Sequence, residues 1–302
     1  MIKNYITDVE GIKVGHAQNF EAMTGCTVII CEDGAVGGVD VRGSAPGTRE
    51  TDLFKSENMV EEIHAIVISG GSAFGLASSN GVMKYLEEKG VGLDVGVTKV
   101  PIVASAVLFD LWIGDSTIRP DENMGYEAAK NSSIENVEIG NVGAGTGATV
   151  GKALGPNSCM KSGLGSASII VGDLVVSAIV VVNAVGDIFK DGIQIAGPIV
   201  DGKIKSTMDL MKVGYETRFT NTNTTIAVVA TNGILTKPQA NKMAQVAHDG
   251  MARAIKPVHT MMDGDTIFAM STGKVKADIN LVSQLAAEVL ETAIKGIEYS
   301  II

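Results

Sequence analysis

The chain has 302 residues, of which 45% are hydrophobic, and its mean hydropathy is +0.25. This apolar content suffices for a large core without disulfides or a structural metal, although length alone leaves one large domain or two fused layers open. A formal charge of −10 and a pI near 4.9 argue against nucleic acid and anionic lipid as partners. The 36 glycines and the low aromatic content, 4%, are typical of thin, closely packed layers joined by tight turns.

Short runs of β-branched and apolar residues predict a series of strands. Most runs are uniformly apolar and bounded by Gly, Asp or Asn, which indicates sheets that are covered on both faces. The predicted strands are residues 27–30, 65–68, 167–171, 174–182, 225–230 and 266–270.

Helical patterns lie between these strands. The first covers residues 73–88, the second runs from 238 to 255 with Thr236 as its N-cap, and the third begins near Asp278. Two successive strands between 167 and 185 argue against simple β–α alternation, so we predict a layered α/β sandwich with helices packed outside. The polar connection 194–218 is predicted to be an exposed loop shortly upstream of Asn223 and Thr224, so that a cut nearby would be tolerated.

The distribution of apolar residues and cysteines predicts the compartment. Residues 1–8 lack a secretory apolar stretch, and the longest apolar run, 174–185, is too short to span a bilayer. We therefore expect a soluble cytoplasmic protein without a membrane partner. Cys26 and Cys31 form a C-x4-C pair, but no second pair completes a zinc site, and the odd spacing places them on opposite faces of one strand. With Cys159 they are predicted to be free buried thiols.

Two glycine-rich segments have the composition of phosphate-binding loops. Gly143, Gly145 and Ala148 match the dinucleotide pattern, but the Ala-Leu-Gly-Pro-Asn that follows Lys152 cannot sustain the helix such a site requires. The segment is therefore either a plain tight loop or a segment whose backbone packs closely against its neighbours and brings Lys152 to a cleft. In the second segment, residues 69–75, tight strand-to-helix packing is favoured over an anion site.

The histidines give no signature of a site. They have no metal-binding spacing, and the chain has no G-x-S-x-G elbow that would support a Ser-His-Asp triad, so structural roles are favoured. The four residues are His16, His64, His248 and His259.

A polar run, Asn-Thr-Asn-Thr at residues 221–224, precedes the apolar strand predicted at 225–230. A threonine hydroxyl is a weak nucleophile, but the α-amino group of an N-terminal threonine, with a pKa of about 8, can act as its base. Downstream, Asp263 and Asp265 are separated by one glycine and can orient that ammonium group or relay protons. Taken alone, the two patterns are more typical of a polar strand entry and a β-turn.

A series of short motifs, specific in its order and number, runs along nearly the whole chain: 14–16, 39–43, 70–75, 100–103, 143–152, 160–166, 183, 223–226 and 259–265. With these motifs the chain resembles the DmpA-type family of self-cleaving aminopeptidases. That family includes L-aminopeptidase/D-esterase, β-peptidyl aminopeptidases and the nylon-oligomer (aminohexanoate) endo-hydrolase. The resemblance implies an αββα sandwich of the N-terminal-nucleophile (Ntn) hydrolase type, with one catalytic domain, 1–302, cleaved into an α chain, 1–223, and a β chain, 224–302.

The resemblance also implies roles for individual residues. Thr224 matches the nucleophile, released by a cut after Asn223, and Asn183 matches an asparagine of the oxyanion hole. Lys152 matches the lysine of the nylon-hydrolase branch. The acidic pair of that branch corresponds to Asp263 and Asp265, where the aminopeptidase branch has a serine and a glutamate.

One position departs from the family pattern. Some members have a catalytic tyrosine before an aspartate, where this chain has Phe109 before Asp110, so that one hydroxyl contact in the substrate-binding region is missing and Lys152 is a candidate to compensate. The expected function is hydrolysis of small peptides or amides without a cofactor, and the family resemblance implies a homo-oligomer of four or more chains. An uncleaved, non-catalytic relative that binds a small amine or peptide, and a self-processing acyltransferase, are the alternatives.

The register of the nucleophile follows from strand alternation. Period-two alternation places Thr224, Ile226 and Val228 on one face of the strand and Thr225, Ala227 and Val229 on the other. We expect the nucleophile to be the first strand residue, because the sheet then holds its backbone while its amine is freed at the edge. Thr222 lies too far out in the loop to be held by the sheet, so Thr224 is predicted to be the nucleophile.

Overall fold

The computed structural model describes residues 4–135, 137–214 and 223–302. The strands of the described residues are β1 (Ile12–Asn19), β2 (Thr24–Val41), β3 (Thr48–Arg49), β4 (Glu62–Ser69), β5 (Leu93–Asp94), β6 (Lys99–Val100), β7 (Val103–Val107), β8 (Thr149–Val150), β9 (Met160–Lys161), β10 (Leu164–Val171), β11 (Leu174–Asn183), β12 (Asp187–Lys190), β13 (Ile193–Ala196), β14 (Ile199–Val200), β15 (Lys203–Ile204), β16 (Thr224–Gly233), β17 (Ile255–Lys256), β18 (Thr266–Val275) and β19 (Ser300–Ile301). The α-helices are α1 (Ser78–Glu88), α2 (Glu122–Lys130), α3 (Thr207–Lys212), α4 (Lys237–Ala254) and α5 (Ile279–Lys295).

The largest sheet has the strand order β10-β11-β16-β18-β2-β4-β7-β3, with β1 paired to β2. The 18-residue strand β2 joins two halves of this sheet. Its first part, Cys26 to Ile30, pairs with β4, and its last part, Val36 to Val41, pairs with β18. One long strand therefore belongs to both halves, which face each other.

Alternating side chains give each half of the sheet two apolar faces. In the β2–β4 half, Val28 and Val67 pack towards α1 and α2, whereas Ile29 and Ile66 face the interior. In the β11–β16–β18 half, the inner face meets the same interior cluster and the outer face packs against α4 and α5. The layers are therefore helix, sheet, sheet and helix, and the predicted αββα sandwich is confirmed.

The predicted strands and helices recur with shifted bounds. The pattern at 73–88 begins as a 3-10 helix, Ser72–Ala77, before α1. Thr236 is the N-cap of α4, as predicted, and α5 begins where it was expected, directly after its N-cap Asp278. Cys26 and Cys31 lie in opposite-face clusters of β2, and all three cysteines are free and buried.

The polar connection is more ordered than the prediction of a loop. Of residues 194–218, those up to 214 are described, and they include the β14–β15 hairpin and α3. Asp187 anchors α3, because its carboxylate accepts hydrogen bonds from Thr207 N at 2.8 Å and Thr207 Oγ1 at 2.5 Å. Among the described residues, no helix combines the length and apolar character that a membrane crossing requires.

Candidate active site

Three strands of the main sheet bring the candidate residues to one edge. Strands β16 and β18 are parallel and begin at this edge, whereas β11 is antiparallel to β16 and ends there. Thr224 is the first residue of β16 and lies directly opposite Asn183, the last residue of β11. Asp263 and Asp265 lie just before β18 begins. Sheet topology thus collects residues that are distant in sequence.

Thr224 is buried at the start of β16. The residues that follow on its face, Ile226 and Val228, join the cluster between the two half-sheets, whereas Ala227 and Val229, on the face of Thr225, pack towards α4 and α5. The predicted alternation is therefore confirmed. The Thr224 hydroxyl donates a hydrogen bond to the carbonyl oxygen of the preceding residue, Asn223.

The side-chain amide of Asn183 has a defined orientation. Its Oδ1 accepts hydrogen bonds from Thr149 N at 3.1 Å and from Lys152 Nζ at 2.6 Å. Its Nδ2 donates to Phe109 O at 3.1 Å. An amide nitrogen carries two hydrogens, so one donor of Asn183 remains after the bond to Phe109.

Lys152 is 3% exposed and lies beside Asn183. Its Nζ donates to the Asn183 main-chain oxygen at 3.0 Å as well as to the side chain. Burial lowers the pKa of Lys152 to about 7, and electrostatic interactions with Cys159, Asp263 and Asp110 oppose that change. An amine with this pKa exchanges its proton readily near neutral pH.

The two aspartates differ in their contacts. Asp265 uses both oxygens: Oδ1 accepts from Thr225 N at 2.7 Å, and Oδ2 accepts from His259 N at 3.0 Å and lies 2.8 Å from His259 Nδ1. Asp263 accepts from Thr260 N at 3.0 Å and from Thr260 Oγ1 at 2.5 Å through Oδ2 alone. Its Oδ1 has no hydrogen-bond partner among the described residues.

The electrostatic surroundings of Asp263 favour its neutral form. Burial, followed by the negative charge of Asp265, raises the pKa of Asp263 to about 6, although the hydrogen bonds from Thr260 act in the opposite direction. A carboxyl group with one unengaged oxygen and a raised pKa is suited to binding an ammonium group or to accepting a proton.

Phe109 reaches the site through its main chain, since its carbonyl oxygen accepts from Asn183. The next residue, Asp110, is buried and accepts from Thr24 Oγ1 and Gly71 N, each at 2.7 Å. A Cβ on Gly70 would lie 2.1 Å from Asp110 Oδ2. The second glycine-rich segment therefore packs tightly around a carboxylate of the chain itself. This packing explains why position 70 is glycine, and no external anion is needed to explain it.

The backbone of the first glycine-rich segment packs closely against its neighbours, so this segment is not a plain loop. It forms a short 3-10 turn, Gly143–Gly145, and continues into β8. A Cβ on Gly147 would lie 2.5 Å from the Cβ of Asp110. This packing brings Thr149 and Lys152 to the Asn183 amide.

Sequence patterns missed three residues that support the site: Thr149, Thr260 and His259. His259 was expected to be structural, and its contact with Asp265 instead links it to the site. The signal was the compact spacing His-Thr-x-x-Asp-Gly-Asp, in which a hydroxyl and an imidazole precede the carboxylates that they contact. In the described ranges, no cluster of His, Cys, Asp and Glu is suited to a metal.

The chain matches the family model of peptidase family S58 over residues 4–302. It belongs to that family. An uncharacterized aminopeptidase of Mycobacterium leprae is 40% identical over 298 residues, covering 91% of this chain and 80% of the relative. The 6-aminohexanoate-oligomer endohydrolase of Paenarthrobacter ureafaciens is 32% identical over 279 residues, covering 89% of this chain and 75% of the relative. The resemblance to the DmpA-type family is thus confirmed, and the S58 member described here is an amide-bond hydrolase.

Solved structures confirm the fold of this S58 member. The L-aminopeptidase D-Ala-esterase/amidase of Ochrobactrum anthropi, a variant of the Ntn-hydrolase fold, superimposes with a TM-score of 0.75 at 20% identity, covering 96% of this chain and 84% of that one. The β-aminopeptidase of a Burkholderia species gives a TM-score of 0.69 at 20% identity, and the superposition covers 96% of this chain and 85% of that one.

Proposed function

We propose that this S58 hydrolase cuts its own chain between Asn223 and Thr224. The new N-terminal threonine then hydrolyses amide bonds in short peptides, amino-acid amides or oligoamides. The observation that carries the proposal is the position of Thr224 as the first residue of a strand held on both sides, directly opposite Asn183. Once free, the α-amino group of Thr224 can take the proton of its own hydroxyl.

The surrounding residues take complementary roles. The remaining donor of Asn183 stabilises the negative charge that develops on the carbonyl oxygen under attack, an effect of about 3 kcal/mol in comparable sites. Lys152 holds the Asn183 amide in place and adds positive charge. Asp265 fixes the strand through Thr225 N. The unengaged oxygen of Asp263 is assigned to the ammonium group of the nucleophile or of the substrate.

The substrate class follows from this acidic group and from the relatives. By their names, the relatives include an uncharacterized aminopeptidase and an endohydrolase of 6-aminohexanoate oligomers. We expect activity on short amides that bear a free amine and small apolar side chains. No cofactor is assigned, because the proposed residues supply the nucleophile, the base and the oxyanion donor.

The two fragments, 1–223 and 224–302, are expected to remain one catalytic domain. The second fragment contributes β16 and β18 at the centre of the main sheet together with α4 and α5, so that separation would expose the largest core cluster. A cytoplasmic location and a homo-oligomer are also proposed. Light scattering of the purified protein tests the oligomer, and a monomer would refute it.

A matched pair of variants tests self-cleavage and its register. Thr224→Val and Thr225→Val each remove one hydroxyl and keep the shape of the side chain, and Thr225 Oγ1 has no partner among the described residues. The parent and Thr225→Val should give fragments of roughly 23 and 8 kDa, in proportion to 223 of 302 residues and a total of 31.3 kDa. Thr224→Val should stay a single inactive chain.

Intact-mass measurement and N-terminal sequencing read the outcome. The small fragment should begin Thr-Thr-Ile-Ala-Val. Thr222, the alternative in the register argument, lies outside the described residues. A fragment that begins Thr-Asn, Asn-Thr or Thr-Ile would overturn the assignment of Thr224. A full-length parent after long incubation would favour the non-catalytic alternative. Product analysis with an added amine acceptor distinguishes hydrolysis from acyl transfer.

A further inference from the structure

The carbonyl group of Asn223 has a backbone hydrogen-bond donor beside it. Gly264 N donates to Asn223 O at 2.9 Å, within the parallel bridge that joins Asn223 to Asp263. Under the proposed function, Asn223 O is the oxygen that becomes negatively charged when Thr224 attacks. The donor is therefore in contact with a reacting atom before the reaction begins.

The peptide group that carries this donor is held at both ends. Its carbonyl oxygen, Asp263 O, accepts a hydrogen bond from Ala45 N at 2.9 Å, while its nitrogen, Gly264 N, donates to Asn223 O. The carbonyl group of Asp265, one residue further on, accepts from Arg42 N at 3.0 Å. Because the segment after β2 fixes this loop, the N–H cannot turn away as charge develops, and such preorganisation is what makes an oxyanion donor effective.

The absence of a side chain at position 264 has a matching explanation. A Cβ on Gly264 would lie 2.8 Å from Thr224 Oγ1 and 2.7 Å from Ala45 O. Gly264 is not among the residues of positive φ, so its backbone conformation does not require glycine. Glycine is required by space, because any side chain would displace the hydroxyl of Thr224.

We propose that the main-chain N–H of Gly264 is an oxyanion donor of this enzyme, first for the Asn223 carbonyl and then for the carbonyl of the substrate. In self-cleavage, the Thr224 oxygen bonds to the Asn223 carbonyl carbon and gives its proton to a base. The C–N bond breaks, the nitrogen takes up a proton, and water then hydrolyses the resulting ester to leave the Asn223 carboxylate. The inference rests on the proposed function and adds a main-chain group to the side chains that were assigned to this site.

Replacement of the donor by an ester oxygen tests this role without adding a side chain. Glycolic acid at position 264, introduced by nonsense suppression, replaces the N–H by an ester oxygen. It also weakens Asp263 O as a hydrogen-bond acceptor, an effect that lactic acid at position 45 tests separately. The matched control is glycolic acid at position 296, where the N–H donates to Thr292 O at 3.0 Å far along the chain from the site. The 264 ester should slow self-cleavage by about 10²–10³-fold, and the 296 ester should cleave at the parental rate.

A second ester separates positioning from folding. Lactic acid at position 45 removes the hydrogen bond to Asp263 O and leaves the donor itself in place, so cleavage should slow by about tenfold, and thermal melting should show that both esters fold. If the 264 ester cleaves as fast as the 296 control, the inference is overturned although self-cleavage stands. If the parent itself stays uncut, the proposed self-cleavage fails and this inference fails with it.

Discussion

Replacement of Lys152 by methionine, made in the Thr224→Val chain so that both proteins remain uncut, should change the pH dependence of stability. Methionine keeps the length of the buried stem and removes the amine. Lys152 has a pKa lowered to about 7 by burial, against an ordinary value of 10.5. The unfolded chain therefore keeps a proton on this lysine between pH 7 and pH 10.5, and the folded chain does not.

The sign follows from this difference in bound protons. Stability rises with pH wherever the unfolded state binds more protons, by about 1.4 kcal/mol per pH unit for one group. Below pH 7 both states are protonated and the penalty of burying the charge is complete and constant. From pH 7 to pH 9 the lysine protein should gain about 2–3 kcal/mol from this group, and the methionine protein should not. Methionine should thus be most favourable, relative to lysine, at or below pH 7.

Urea unfolding at pH 6, 7, 8 and 9 measures the effect. The difference in unfolding free energy between the two proteins should shrink from pH 7 to pH 9. Lys161, whose pKa burial lowers to about 8, titrates in the same range, but it is present in both proteins and cancels from the difference. A difference that stays constant from pH 6 to pH 9 would refute the lowered pKa of Lys152.

Two further predictions concern turnover. Asn183→Ala should slow self-cleavage and amide hydrolysis together by about 10²–10³-fold, because both reactions use its donor; a variant that processes and turns over at the parental rates would exclude this role. Asp263→Asn should reduce the rate on free-amine anilides at least tenfold more than on N-acetylated anilides, since the charge that attracts the ammonium group is removed. Equal losses on the two substrate types, in steady-state assays, would count against that role.

The strand that carries the candidate nucleophile was predictable because its chemistry is local. Residues 225–230 are β-branched and apolar, and period-two alternation alone assigned Ile226 and Ala227 to opposite faces, as the core clusters confirm. Strand β2 was only partly predicted, over 27–30. The polar Glu32 and Asp33 interrupt its pattern, yet the strand continues because β4 and then β18 supply hydrogen-bond partners further along.

The parts of the site that sequence patterns missed depend on contacts between distant segments. Nothing near Lys152 in the sequence indicates that Asn183 will accept its hydrogen bonds. Nothing near Asp187 indicates that it will anchor α3, which was predicted to be part of a loop. Conversely, motif resemblance singled out Thr224, Asn183 and the two aspartates as candidates, because it carries information on three-dimensional neighbours that periodicity lacks.

The contacts around Thr224 explain why a cut at this peptide bond would leave the site intact. Strand β16 is paired to β11 on one side and to β18 on the other, and Asp265 binds Thr225 N. Loss of the bond to Asn223 therefore frees one amine and releases the hydrogen bond between Asn223 O and Gly264 N, while the pairing of the strand remains. Gly264 N–H then becomes available to a substrate carbonyl at the position that Asn223 O held. Under the proposed self-cleavage, the uncut chain would therefore occupy its own active site, and the cut would vacate that site without disturbing the strand that holds Thr224.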